Sequence, residues 1–140
     1  MSRKPVENRV VRVILDSNAL FAPLQFKIDV SSELERLLKR KFELVLLSAV
    51  KRELLTLAAK GSPSMRRNAE CALRLAEKYR YVEVEESVSG LTDDVIVEVA
   101  TAWKAVVFTN DRQLRRRLRD ISVPVIYVRQ KSRLEIDGMI

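Results

Sequence analysis

A three-layer α/β/α fold around a central parallel sheet of about five strands is the class this sequence predicts, and three observations predict it. Short runs rich in Val, Ile and Leu alternate with helix-period segments along the whole chain, the pattern of βαβ units. The first of these runs, VVRVIL at 10–15, is apolar and β-branched enough for a strand covered on both faces. Acids follow the apolar runs: Asp16 ends the first, and Asp111 comes three residues after the run at 105–108. In an open parallel sheet that edge is where ligands bind.

Taken in order, residues 1–9 form a polar lead-in and 10–15 the first strand. Residues 17–30 are irregular, with one helical turn over 19–21 before Pro23. Ser32 and Glu35 form a capping box that opens a helix to about residue 41, with Leu34, Leu37 and Leu38 on one face. A second strand at 43–47 leads to Ser48, a cap for a helix that runs to Lys60 and stops at Gly61. Ser62-Pro63 starts the next helix, whose apolar stripe is Met65, Ala69, Ala72, Leu73, Ala76 and Tyr79. A strand at 81–85, a loop capped by Thr92, a helix over 93–104 and a strand at 105–108 follow. A helix over 111–119, a strand at 124–128 and a weakly patterned tail at 129–140 complete the chain. Trp103 and Phe108 read as core residues, and Cys71, among Ala72 and Leu73, as an ordinary small apolar residue.

The chain of 140 residues reads as a single domain, 1–140, large enough for a true core. Its N-terminus lacks the apolar centre of a signal peptide and no apolar run approaches the roughly 20 residues of a membrane span. The cytoplasm is therefore the default location. One cysteine excludes an internal disulfide, and the absence of histidine excludes an imidazole base, histidine metal ligands and Ser-His-Asp chemistry together. A net charge of +7 favours a polyanionic partner, most often nucleic acid.

The acids carry the chemistry. Asp16 sits where the first strand leaves the sheet. Glu53 shares a sector of about 100° with Val50, Leu54 and Leu57, so its carboxylate is aimed inward and needs a partner. Asp93 shares its side with Val97 and Ala100 and is the better site candidate; Asp94 shares a polar stripe with Glu98 and Thr101 and is left for solvent or a supporting role. Asp111 opens a helix after the strand at 105–108. Each acid has an ordinary alternative as a turn residue, helix cap or salt-bridge partner. Four of them, from four segments at one sheet edge, repel one another and are best tolerated with a divalent cation between them. All-oxygen ligands select Mg²⁺ or Mn²⁺, which keep waters that can be delivered to a phosphodiester.

VILDSNAL at 13–20, LLSAVKREL at 46–54, TDDVIVEVA at 92–100 and FTNDRQLRRRL at 108–118 occur in the order and spacing of a PIN domain, which the chain resembles over essentially its full length. The last block, with VIYVRQKSRLEIDG at 125–138, is most similar to archaeal PIN proteins akin to the Fcf1/Utp24 rRNA-processing group. Toxin-type (VapC-like) ribonucleases use the same scaffold. The resemblance implies a Rossmann-type sheet. It also implies that Asp16, Glu53, Asp93 and Asp111 are the catalytic, metal-binding acids, with Asp94 auxiliary and Asn18, Thr109 and Asn110 in support. Mg²⁺ or Mn²⁺ is the implied cofactor. RNA is the implied partner, joined by a homodimer mate, an antitoxin or a ribosome-assembly partner.

Arg112, Arg115, Arg116 and Arg119 fall in one sector of about 100°, opposite Leu114, Leu118 and Ile121. This stripe starts beside the acids, and four like charges on it gain nothing from i,i+4 pairing, which favours contact with RNA phosphates. The reading is a metal-dependent endoribonuclease that hydrolyses RNA phosphodiesters, in rRNA processing or as the toxin of a toxin–antitoxin pair. A non-catalytic RNA-binding module is the rival from another class, disfavoured because acids at a phosphate-binding edge repel RNA unless a metal is present. A phosphoacceptor domain is a third, but Lys131 lies too far beyond the last strand to serve it.

Overall fold

The computed structural model describes residues 10–140; the lead-in read over 1–9 lies outside them. Its strands are β1 (Val11–Leu15), β2 (Phe42–Leu47), β3 (Arg80–Val82), β4 (Val106–Phe108), β5 (Val125–Arg129) and β6 (Arg133–Asp137). They form one sheet in the order β3-β2-β1-β4-β5-β6. β1 to β5 pair in parallel, and β6 runs antiparallel to β5. Seven helices are described: α1 (Ser17–Leu20), α2 (Ala22–Phe26), α3 (Val30–Leu38), α4 (Ser48–Lys60), α5 (Pro63–Ala76), α6 (Thr92–Trp103) and α7 (Arg112–Asp120). The result is the expected three-layer α/β/α architecture, with a mixed sheet of 6 strands.

β1 is central because its side chains are apolar on both faces. Val13, Ile14 and Leu15 are buried, and Val13 stands between Leu44 of β2 and Val106 of β4. Chain order reverses at β1, which has β2 on one side and β4 on the other. The crevice beyond the carboxyl ends of β1 and β4 is therefore the topological switch point of the sheet.

Several local expectations are corrected. The tail at 129–140 contains β6, paired with β5 from Val125↔Asp137 to Arg129↔Arg133. Only Leu134 in it is buried, and charged residues alternate with it, so the apolar period is weak. The hairpin turn escapes notice because Gln130 and Lys131 take its left-handed conformations at φ 53° and 57° without a glycine. At α3, the Ser32–Glu35 box does not form. The Asp29 carboxylate caps instead, accepting from Ser32 N–H at 3.1 Å, which starts the helix three residues earlier and buries Val30. α3 stops at Leu38, where Lys39 turns left-handed.

Ser48 does not cap α4. Its buried hydroxyl accepts from Val84 N–H at 2.9 Å and donates to Val84 C=O at 3.2 Å. That side chain takes the backbone groups a longer β3 would use for pairing, so β3 ends at Val82 rather than near 85. Thr92 is the first residue of α6, and its N-cap Leu91 has no side-chain bond. The segment 17–26 holds two short helices rather than one turn. Met65 and Ile121, expected on apolar faces, are exposed. Trp103 is only half-buried, and the Arg12 guanidinium lies 4.6 Å from its ring centroid.

The sheet's outer edge is covered from α3. Glu33 accepts from Leu134 N–H at 2.8 Å and Arg36 donates to Leu134 C=O at 2.9 Å, while the two side chains pair with each other. Replacing Asp29 by Ala removes a cap and is expected to lower the urea denaturation midpoint more than Ser32→Ala does.

Candidate active site

Asp16 leaves β1 at the switch point, and its N–H donates to Phe108 C=O of β4 at 3.0 Å. Its carboxylate is buried and both oxygens are occupied. Oδ1 accepts from Ser17 N–H at 2.8 Å; Oδ2 accepts from the Thr109 hydroxyl at 2.8 Å and from Asn18 Nδ2 at 3.0 Å. Asn18 Oδ1 accepts from Asn110 N–H at 2.9 Å, and Asn110 Oδ1 accepts from Val128 N–H at 2.8 Å. The three supporting residues named from sequence thus form one relay that ties the ends of β1, β4 and β5 together.

Burial is the main reason the Asp16 carboxyl is held above its ordinary pKa; the hydrogen bonds from Thr109, Ser17 and Asn18 oppose this, and the charge of Asp111 adds to it. Glu53 is raised for the same leading reason, then by the charges of Asp16 and Asp93, with the Ser17 side chain opposing. Asp93 is raised by burial and by Asp16 and Asp111, and is held down by Arg117. Asp111 caps α7, its Oδ1 accepting from Gln113 N–H at 2.8 Å and Leu114 N–H at 3.1 Å. At this edge of the sheet Asp111 thus acts on Asp16 and Asp93, and Asp16 acts on Asp93 and Glu53. Glu53 departs from expectation in one respect. Its residue surface is exposed rather than turned into the core, because it sits at the flank of the apolar sector, facing a cleft bordered by Ser17 of α1 and by Thr92 and Val95 of α6.

A hard divalent cation suits this donor set: the acids supply oxygen ligands only, and at least three of them resist ionisation in one another's presence. As the side chains stand, no three acids among the described residues are close enough to hold one ion together. The expected tight cluster is thus not formed. Ligation needs oxygens within about 2.0–2.6 Å of a metal, whereas charges couple over longer distances. Asp16 is turned onto its three donors and Asp111 onto its helix, and repulsion favours their separation.

Asp94 stands apart, as its polar stripe implied. It accepts from the Ser89 hydroxyl and pairs with Arg117 of α7, and these contacts hold its carboxyl below the ordinary value. Arg117 and Ser17 were not singled out from sequence. The helix wheel contained the signal for Arg117, which lies about 60° from Leu114, off the arginine stripe and toward the protein. Within the stripe, Arg115 and Arg119 are not free. Both pair with Asp137 of β6, at 3.3 and 3.1 Å, and Arg115 stacks 3.6 Å from the Tyr127 ring centroid. Gly138, at φ +109°, lets Arg119 lie against it, since a Cβ there would meet the guanidinium at 2.5 Å. Arg112 and Arg116 remain exposed. Contrary to expectation, two members of the stripe are therefore paired, because their counter-charge comes from the strand hidden in the tail.

The model of the PIN-like domain family matches residues 13–131. The chain belongs to that family. Ribonuclease VapC4 of Methanocaldococcus jannaschii is 33% identical over 131 residues, spanning 92% of this chain and 98% of its own. Ribonuclease VapC9 of Archaeoglobus fulgidus is 28% identical over 132 residues, spanning 93% and 92%. Among solved structures, the PIN domain endonuclease Utp24 superposes with a TM-score of 0.74 at 29% identity, covering 92% of each chain. A domain of a functionally unknown Methanocaldococcus jannaschii protein matches with a TM-score of 0.64 at 15% identity, a likeness of fold alone.

In this PIN domain, a carboxyl whose pKa is raised on folding takes up protons as the chain folds, so its contribution to stability is lost as pH rises through the raised pKa. Glu53→Gln removes one such group. Its stability relative to wild type is expected to increase as pH climbs from about 4 toward neutrality, read by urea denaturation in EDTA.

Proposed function

We propose that this PIN domain is a divalent-metal-dependent endoribonuclease that hydrolyses RNA phosphodiester bonds. The observation that carries the reading is the placement of Asp16, Glu53, Asp93 and Asp111, from four separate segments, around the crevice where β1 and β4 end. Relatives named ribonucleases and a neighbour named an endonuclease support it.

The four acids would hold Mg²⁺ or Mn²⁺; Asp94 would assist only on leaving its contacts with Ser89 and Arg117. The bound ion supplies the Lewis acidity that polarises a phosphodiester and lowers the pKa of water. Asp16 is the fixed point: Thr109, Asn18 and the Ser17 backbone hold its carboxylate in one orientation. Glu53, more exposed, is free to adjust to ion and substrate. Arg112 and Arg116 supply charge for RNA phosphates next to the acids, while Arg115 and Arg119 share theirs with Asp137. A chain without histidine has no imidazole for proton transfer, which leaves carboxylates and water for that work.

The relatives named VapC favour the toxin-type role, with an antitoxin as partner; the likeness to Utp24 favours rRNA processing, with ribosome-assembly partners. Both roles use the same chemistry, and a homodimer is compatible with either. A protein that only binds RNA would bind equally in EDTA and cut nothing. Incubation with single-stranded and structured RNA is expected to give cleavage in Mn²⁺ or Mg²⁺ and none in EDTA. Asp16→Asn should slow cutting by at least about a hundredfold; cutting at the wild-type rate would remove the mechanism. Replacing Arg112 or Arg116 by Ala is expected to weaken RNA binding. The salt slope of the binding constant should fall by about 0.7 for each phosphate that is no longer neutralised.

A further inference from the structure

A cavity of about 350 Å³ opens beside the acids, between α4 and the loop that leads into α6. It shares Glu53 and Ser17 with the candidate active site. Its apolar wall is Leu57, Leu91 and Val95; Thr56 and Thr92 also line it, and the Thr56 hydroxyl donates to Arg52 C=O at 3.0 Å. The Arg52–Glu86 ion pair, 3.3 Å apart, also lines it. With Glu53 and Glu86 against one guanidinium, the lining is net negative and unsuited to a phosphate. Leu91 is 61% exposed on its wall, and Val88 stands fully in solvent on the same loop. Apolar side chains left bare next to a polar crevice favour a flat, neutral, partly polar group.

We infer that this cavity takes one unstacked nucleobase of the RNA, from a nucleotide flanking the bond to be cut. The inference rests on the ribonuclease reading and deepens it. The base lies against Leu57, Leu91 and Val95, and its edge meets Thr92, the accepting side of the Thr56 hydroxyl and the Arg52 guanidinium. The acids repel the sugar–phosphate chain unless a cation screens them, so the base side of the strand is the part this wall can hold without metal. The volume is near the lower end of the roughly 300–1,000 Å³ usual for ligand pockets and is enough for one base. A paired base would have to leave its stack to enter, so duplex RNA is disfavoured.

Three RNA probes test this by fluorescence anisotropy in Ca²⁺: an unstructured strand, the same strand with its central nucleotides made abasic, and the same strand annealed to its complement. The abasic and duplex probes are expected to bind at least about fivefold more weakly than the intact strand. Thr56→Trp, which fills the cavity from an exposed helix position, should bring the intact strand down to the abasic level and leave the abasic strand unchanged. Leu55→Trp, exposed and outside the cavity lining, should alter none of the three. Equal binding of intact and abasic strands overturns the inference, as does an equal loss on both in Thr56→Trp. Cleavage of the same strands in Mn²⁺ separates the two readings. Base-dependent binding without cutting sinks the nuclease and leaves the pocket. Cutting without base dependence does the reverse, and neither binding nor cutting removes both.

Discussion

A charged carboxylate buried at the point where a sheet reverses its strand order is the constraint on which the rest depends. Asp16 cannot stay there unless donors surround it, because burying an unpaired carboxylate costs several kcal/mol. Those donors come from two directions. Ser17 and Asn18 follow it in sequence, and Thr109 arrives from the end of β4, 93 positions away in the chain. The pairing of β1 with β4 is thus a precondition of the site as well as part of the core. Asn18 and Asn110 extend the same logic outward, closing backbone groups that the diverging strands leave open.

Side chains beyond the carboxyl ends of the strands divide into a rigid set and an adjustable one. Asp16, Thr109 and Asn18 are locked to one another, and Asp111 is bound to the first turn of its own helix. Glu53 and Asp93 have fewer partners, and burial first and repulsion by the charge of their neighbours second hold them above their ordinary pKa. Arg117 reaches across from α7 to Asp94 and tempers that repulsion for Asp93. Ligands that enter the crevice therefore meet a fixed floor and movable walls.

The apolar runs and their alternation with helices were enough to read the architecture, since burial on both faces leaves a strong trace in composition. The acids were legible because each follows a strand or lies on the inner side of a helix wheel. What sequence did not show depends on partners from elsewhere. Asp29 overrode the Ser32–Glu35 box because starting earlier buries Val30. Ser48 looked like a cap but is committed to Val84, which no local pattern announces. β6 was missed because its turn lacks glycine and its strand carries as much charge as hydrophobicity, and with it went the reason Arg115 and Arg119 are held in place.

The clasp of Glu33 and Arg36 on Leu134 has a further effect. Hydrogen-bonding groups on the outer rim of a sheet invite another chain to add a strand, and here the N–H and C=O of Leu134, at the middle of that rim, are taken by side chains from α3. The opposite rim is β3, only 3 residues long. Both borders are therefore poor templates for strand-by-strand growth. Association through the sheet borders is correspondingly disfavoured.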